Sequence, residues 1–196
     1  MREEIKSIML IRKAKPSDAS SIATCIALAM DEIIYAIIGE IDDQKAHDFL
    51  LEMASQPANQ YSFECCWVVE ENDEVVAVTN VYDGGNLLRL REPIRNAVQT
   101  KFGRELNIED ETKKGEIYID CIGVKTEHQG KGLGAKLLQF LIEKYGRLTN
   151  YHLSLLVDEE NPRAKKLYKK LGFQVVEECQ LGGETMERMY WFEREI

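Results

Sequence analysis

A chain of 196 residues with 44% hydrophobic side chains and four prolines is long enough for one buried core and short for two, so a single domain is expected over residues 1–196. Its net charge of −9 disfavours nucleic acid as a main partner, because duplex binding draws on phosphate neutralisation by Lys and Arg. No leader with a cleavage site opens the chain, no unbroken apolar run approaches the roughly 20 residues that cross a bilayer, and five cysteines show neither C-x-x-C nor metal-ligand spacing. These features lead us to expect a soluble, cytoplasmic protein with buried reduced thiols, no metal site and no membrane partner.

In chain order, Ser7 to Ala14 reads as a strand. Pro16-Ser17-Asp18 then opens a helix in which Ile22, Ile26, Met30, Ile33 and Ile37 recur at three- and four-residue steps. A shorter helix is expected over Asp43 to Ala54, with Phe49, Leu50 and Met53 inward. Phe63 to Glu70 and Glu74 to Tyr82 are β-branched and aromatic runs around Asn72-Asp73, which marks a hairpin. Pro93 to Gly103 has a helix's start, face and end. Glu116 to Val124 is a strand, and after a glycine-rich stretch Leu137, Leu138, Leu141, Ile142 and Tyr145 share a helix face. Tyr151 to Val157 reads as a buried strand and Pro162 to Leu171 as a short helix. The tail forms two strands around Gly182-Gly183, the second running to Glu195. A meander, a β-α-β-α-β passage and a final hairpin make a mixed α/β fold rather than a doubly wound one.

The glycine stretch, Glu127 to Leu138, carries the first functional signal. Gly130, Gly132 and Gly134 do not match the dinucleotide spacing G-x-G-x-x-G, and the P-loop pattern fails at its Lys-Ser/Thr end. What remains is backbone freedom just before a helix, which gathers N–H groups at the positive helix end and suits a pyrophosphate. The stretch Gln129 to Gly134 resembles the Q/R-x-x-G-x-G/A motif of the GNAT superfamily of acyl-CoA-dependent N-acetyltransferases. Asn161 to Phe173 is similar to that superfamily's second signature, N-x-x-A-x-x-L-Y-x-x-x-G-F, at every fixed position.

The resemblance implies a mostly antiparallel central sheet of about seven strands with about four flanking helices. Between the third and fourth strands it leaves an insertion over residues 84–115, where relatives have a short turn. The implied cofactor is acetyl-CoA. Its pyrophosphate is expected on Gln129, Gly130, Lys131, Gly132, Leu133 and Gly134. Its pantetheine arm is expected beside Ile122 and Val124, and Asn161, Ala164 and Tyr168 are expected nearby. Tyr168 is the implied proton donor to the departing thiolate.

Amine attack needs a proton acceptor, and alternation along the strand puts Glu116, Tyr118, Asp120, Ile122 and Val124 on one face. Asp120 is the first candidate and Glu116 the second, although the position that carries the base in some relatives falls closest to Tyr118. Cys121, on the opposite face, is the minor alternative, as a covalent nucleophile. The stretch from Pro16 to Gln44 holds Asp18, Asp31, Glu32, Glu40, Asp42 and Asp43 and no basic residue, which favours a cationic amine acceptor. The expected reaction is direct acetyl transfer to a primary amine of a small molecule or peptide. A non-catalytic acyl-CoA-binding module on the same fold stays open, as does a role for the insertion in covering the cleft or joining two subunits of a homodimer.

Overall fold

The computed structural model describes residues 9–147 and 149–193. Seven strands form one sheet in the order β1-β2-β3-β4-β5-β7-β6. They are β1 Met9–Lys13, β2 Cys66–Glu71, β3 Glu74–Asp83, β4 Glu116–Val124, β5 His152–Asp158, β6 Phe173–Leu181 and β7 Glu184–Trp191. Among the described strands only β4 and β5 run parallel. Five helices flank the sheet: α1 Ala19–Ile38, α2 Asp43–Ser55, α3 Leu87–Phe102, α4 Leu133–Leu141 and α5 Pro162–Leu171. The expected Ser7 and Ile8 of the first strand and Arg194 and Glu195 of the last lie outside the described residues.

Pro16–Ile38 has the length and hydropathy of a bilayer-crossing helix. Its apolar face is instead core, with Ile22, Ala23, Cys25 and Ile26 fully buried and α1 packed on β3, β4 and α2. Gly123 in β4 makes that approach possible, since a Cβ there would fall 1.9 Å from the Cys25 carbonyl oxygen. Pro16–Asp18 forms a 3-10 turn before α1, and at Met30 (φ −156°, ψ 42°) the helix breaks. The break resets its phase, so that Ile34, Ile37 and Ile38 are the buried residues in the second half and Ile33 is only partly covered.

α2 is capped by Asp42, whose side chain accepts from the Lys45 N–H. The β2–β3 turn places Asn72 and Asp73 at φ 52° and 65°, the left-handed pair that a tight hairpin needs. The inserted helix starts six residues before the expected Pro93. A turn held by the Asp83 side chain on the Gly85 N–H leads into it, and Pro93 sits inside it at the loss of one i→i−4 hydrogen bond.

Candidate active site

β4 and β5 pair only over Glu116–Ile119 with His152–Leu155. Beyond that they part, and residues 120–124 keep β3 on one side while the other side of their backbone has no strand partner. Two cavities, of about 630 and 590 Å³, open along this gap and share Leu28, Ile122, Asn161 and Ala164 as walls.

The smaller cavity lies against the glycine loop. Gln129 Nε2 donates to the Val124 carbonyl at 3.1 Å and ties the loop to the end of β4. Gly130 and Gly132 sit at φ 76° and 79°, and Gly132 is the residue from which α4 begins. No side chain crowds either position, so the left-handed backbone, not space, is what requires glycine there. Gly134 packs toward Ile122, where a Cβ would lie 3.8 Å from its Cγ2. Across the cavity Asn161 caps α5 by accepting the Ala164 N–H at 3.0 Å, with Pro162 in the first turn and Gly172 in the left-handed conformation at its end. His128 and Arg163 line this cavity, together with Leu133 and Val124. Lys131 lies beside the wall, 3.5 Å from the His128 ring. Clustered helix-start N–H groups, two cationic side chains and a free strand edge fit the pyrophosphate and amide groups of an acyl-CoA.

The larger cavity holds the proton-handling candidates, and here the alternation read from the sequence is corrected. β3 and β4 slip register between Asn80↔Cys121 and Val81↔Ile119, which makes Asp120 the extra residue of a β-bulge. Beyond the bulge Ile122 joins Ile117 and Ile119 in the layer under α4 and α5, while Cys121 packs into the α1–α2 layer. Val124 packs beside Ile122 under α4, so neither shares a face with Tyr118. Asp120, Cys121, Tyr118 and Tyr168 all line the one cavity, and Cys121 does not lie across the strand from Asp120 as expected.

Asp120 accepts a hydrogen bond from Gln60 Nε2 at 3.1 Å. Burial first, and then the Glu111 carboxylate, push its carboxyl up to about 7. Burial also pushes the Tyr168 phenol up to about 12, so it keeps its proton near neutral pH. The Cys121 thiol and the Tyr118 phenol are raised well above their ordinary values, again by burial first, and both stay protonated. A resting thiolate, which a covalent route through Cys121 would use, is thereby disfavoured.

Glu116 is also corrected. It is 1% exposed, pairs with Arg188 at 3.0 Å, accepts the Lys113 N–H at 2.7 Å, and lies outside the cavity walls. It anchors the insertion to β7 and does not face a substrate.

The acidic stretch divides as well. Asp18 is buried in a bidentate pair with Arg12, Asp42 caps α2, and Asp43 accepts from the Tyr35 hydroxyl. Asp31 and Glu32, at the break in α1, reach the cavity, where Asp120, Asp158 and Glu184 join them. No Lys, Arg or His stands among the described residues of that wall.

Four residues that sequence reasoning did not single out surround Asp120 from behind: Gln60, Tyr82, Arg91 and Glu111. Gln60, Arg91 and Glu111 offered only polarity in segments that read as loop, and Tyr82 read as the end of a strand.

The family model described as the acetyltransferase (GNAT) family matches residues 30–173. A solved structure described as an acetyltransferase superposes with a TM-score of 0.77 at 32% identity, over 93% of this chain and 98% of that one. An N-acetyltransferase from Staphylococcus aureus Mu50 superposes with a TM-score of 0.79 at 24% identity, over 92% and 99%, and shows the shared fold. A spermine/spermidine N(1)-acetyltransferase of Bacillus subtilis (strain 168) is 34% identical over 86 residues, which are 43% of this chain and 57% of that enzyme.

Proposed function

The chain belongs to the GNAT acetyltransferase family, and from that premise we propose that it transfers the acetyl group of acetyl-CoA directly to a primary amine of a cationic small molecule, a polyamine being the model acceptor. The observation that carries this reading is the division of charge along one continuous gap. The end against the glycine loop has Arg163 and helix-start N–H groups with Lys131 beside it, whereas the other end has five acidic side chains and no basic one among its described walls. An acidic mouth concentrates positively charged amines and loses that effect as salt screens it. The similarity to a spermine/spermidine acetyltransferase points the same way.

When bound, acetyl-CoA would supply an activated thioester. The loop from Gln129 to Gly134 would hold its pyrophosphate, with Lys131 and Arg163 close by for further phosphate charge. The free edge of β4 at Ile122 and Val124 would pair with the pantetheine amides, and the start of α5 at Asn161 and Ala164 would close the channel.

Asp120 then takes the proton that the amine nitrogen must shed as its N–C bond forms, through an intervening water. Tyr168 Oη would give a proton to the sulfur as it leaves with the C–S electron pair, and exchange with solvent would reset both groups. Because only the neutral amine attacks, a cationic acceptor first gives one proton to solvent; counting the one shed as the N–C bond forms, the nitrogen loses two protons, the thiol gains one, and one is released.

Release of CoA thiol from acetyl-CoA, screened over polyamines, aminoglycosides, peptide N-termini and neutral amines, tests the reading. Turnover with the cationic amines is expected, and Tyr168→Phe should lower kcat by roughly ten- to a hundredfold or somewhat more with little change in acetyl-CoA affinity. Tight acetyl-CoA binding without thiol release from any amine would replace the enzyme by a binding module.

A further inference from the structure

The inserted segment between β3 and β4 ends in a buried polar cluster directly behind Asp120. Arg91 of α3 and Glu111 are each 3% exposed and paired with one another, and Arg91 also holds Asp110 at 3.3 Å and the Glu109 carbonyl at 2.9 Å. Between this pair and Asp120 stands Gln60, 2% exposed. A guanidinium only donates, so the Arg91 Nε contact at 3.2 Å fixes Gln60 Oε1 toward Arg91 and turns the side-chain NH2 toward the carboxylates. That NH2 has two hydrogens and three oxygens in reach: Glu111 Oε1 at 2.8 Å, Asp120 Oδ2 at 3.1 Å and Tyr82 Oη at 3.2 Å. If the two carboxylates take the two hydrogens, the Tyr82 hydroxyl is left to donate in turn, with Glu111 Oε1 3.3 Å from it and the Asp120 carboxylate as its other acceptor. The backbone of Gln60 is fixed too, its N–H on the Leu90 carbonyl at 2.9 Å and its carbonyl on Asn80 Nδ2 at 2.8 Å.

We propose that the insertion is the positioning device of the proton acceptor, with Arg91 and Glu111 orienting Gln60 so that it grips one oxygen of Asp120 and leaves the other to the substrate cavity, while Glu111 sets the charge against which Asp120 ionises. The proposal rests on Asp120 being the acceptor. With Asp120 ionised, two carboxylates share one amide and one phenol against a single guanidinium; with Asp120 protonated, the cluster is neutral. An acceptor poised near neutral pH follows from that arrangement. The groups facing Asp120 are Tyr61 and Gln60 before β2, Cys65 and Cys66 at its start, and Tyr82 on β3. Arg91 and Glu111 come from the insertion and Tyr118 and Cys121 from β4. Across the cavity stand Tyr168, Asp31, Glu32, Asp158 and Glu184. Among them only Arg91 is a permanent cation, and it is bound to Glu111.

The test is a carbon-detected NMR titration of the aspartate side chains in the protein without acetyl-CoA, the Asp120 signal assigned by its loss in Asp120→Asn. Asp120 should titrate well above the ordinary value of about 4. Glu111→Gln removes the neighbouring negative charge and should lower that midpoint by about one pH unit or more, whereas Gln60→Met removes the donor to the ionised form and should raise it. General loosening would admit water and lower both, so opposite signs separate positioning from mere structure. The acid limb of kcat/KM should move with the midpoint in each variant and vanish in Asp120→Asn.

An Asp120 midpoint that is ordinary in the parent, or unmoved by either substitution, overturns the inference. If Glu111→Gln does not fold, the parent and Gln60→Met titrations decide it alone. An inactive Asp120→Asn protein with no such coupling rejects the insertion's role only. An Asp120→Asn protein as active as the parent rejects the acceptor itself, and this role with it.

Discussion

Asp120 and Tyr168 face one cavity, and burial raises the titration of each above its ordinary value. In the proposed roles the phenol is protonated near neutral pH, though a weaker acid than an ordinary tyrosine, and the carboxyl is held near the pH at which it can both take and give up a proton. For Asp120 this carries a cost in stability whose sign is fixed. Its carboxyl titrates at about 7 in the fold against 3.8 in ordinary surroundings, so between those values the folded chain binds more protons. Its favourable contribution is fully present below about 4 and is lost as pH rises through about 7. Asp120→Asn, which stays neutral, should therefore raise Tm at pH 8 and leave it nearly unchanged at pH 4. Thermal melts at the two pH values check this, and a variant that melts below the parent at pH 8 would show that the carboxylate is not under strain.

At the scale of elements, the site depends on how closely α1 lies on β4 and on how β4 parts from β5. Gly123→Ala would set a Cβ 1.9 Å from the Cys25 carbonyl oxygen, where backbone cannot yield as a side chain could. A loss of roughly 1–3 kcal/mol is expected in urea unfolding, the range for forcing extra volume into a packed contact, and the displaced helix should also weaken amine turnover. A variant as stable as the parent would mean that α1 rides higher on the sheet.

The same elements show what could be read from the chain. α5 was legible to the residue because Asn161, Pro162 and Gly172 encode its ends locally, and the loop at Gly130 and Gly132 was legible because its backbone needs glycine. The break at Met30 and the bulge at Asp120 were not, since neither has a local breaker or turn residue to mark it, and the start of α3 was missed because Pro93 reads as a first-turn residue although Leu87 and Leu90 extend the buried face before it. The bulge mattered most, because strict alternation across it sent Ile122 to the wrong face and hid that Cys121 and Asp120 share a cavity. Glu116 read as a candidate base for the related reason that its partner, Arg188, lies 72 residues away and no local pattern links them.

Over the whole molecule, a chain of net charge −9 gathers five acidic side chains and no basic one along the described walls of its larger cavity beside β4. The insertion deepens this arrangement, since Arg91 is spent on Glu111 behind Asp120 and offers no positive charge to the acceptor cavity. Charge at the cavity mouth should act on the amine and not on acetyl-CoA, and it should fade with salt. The most direct measurement is the KM for spermine, from initial rates of CoA release at low ionic strength, in the parent and in Asp31→Asn with Glu32→Gln. The double variant is expected to show a KM several-fold higher, a gap that closes toward 0.5 M salt, and an unchanged KM for acetyl-CoA; equal spermine KM values at low salt, or a parent that prefers a neutral amine of the same length, would contradict a cationic substrate.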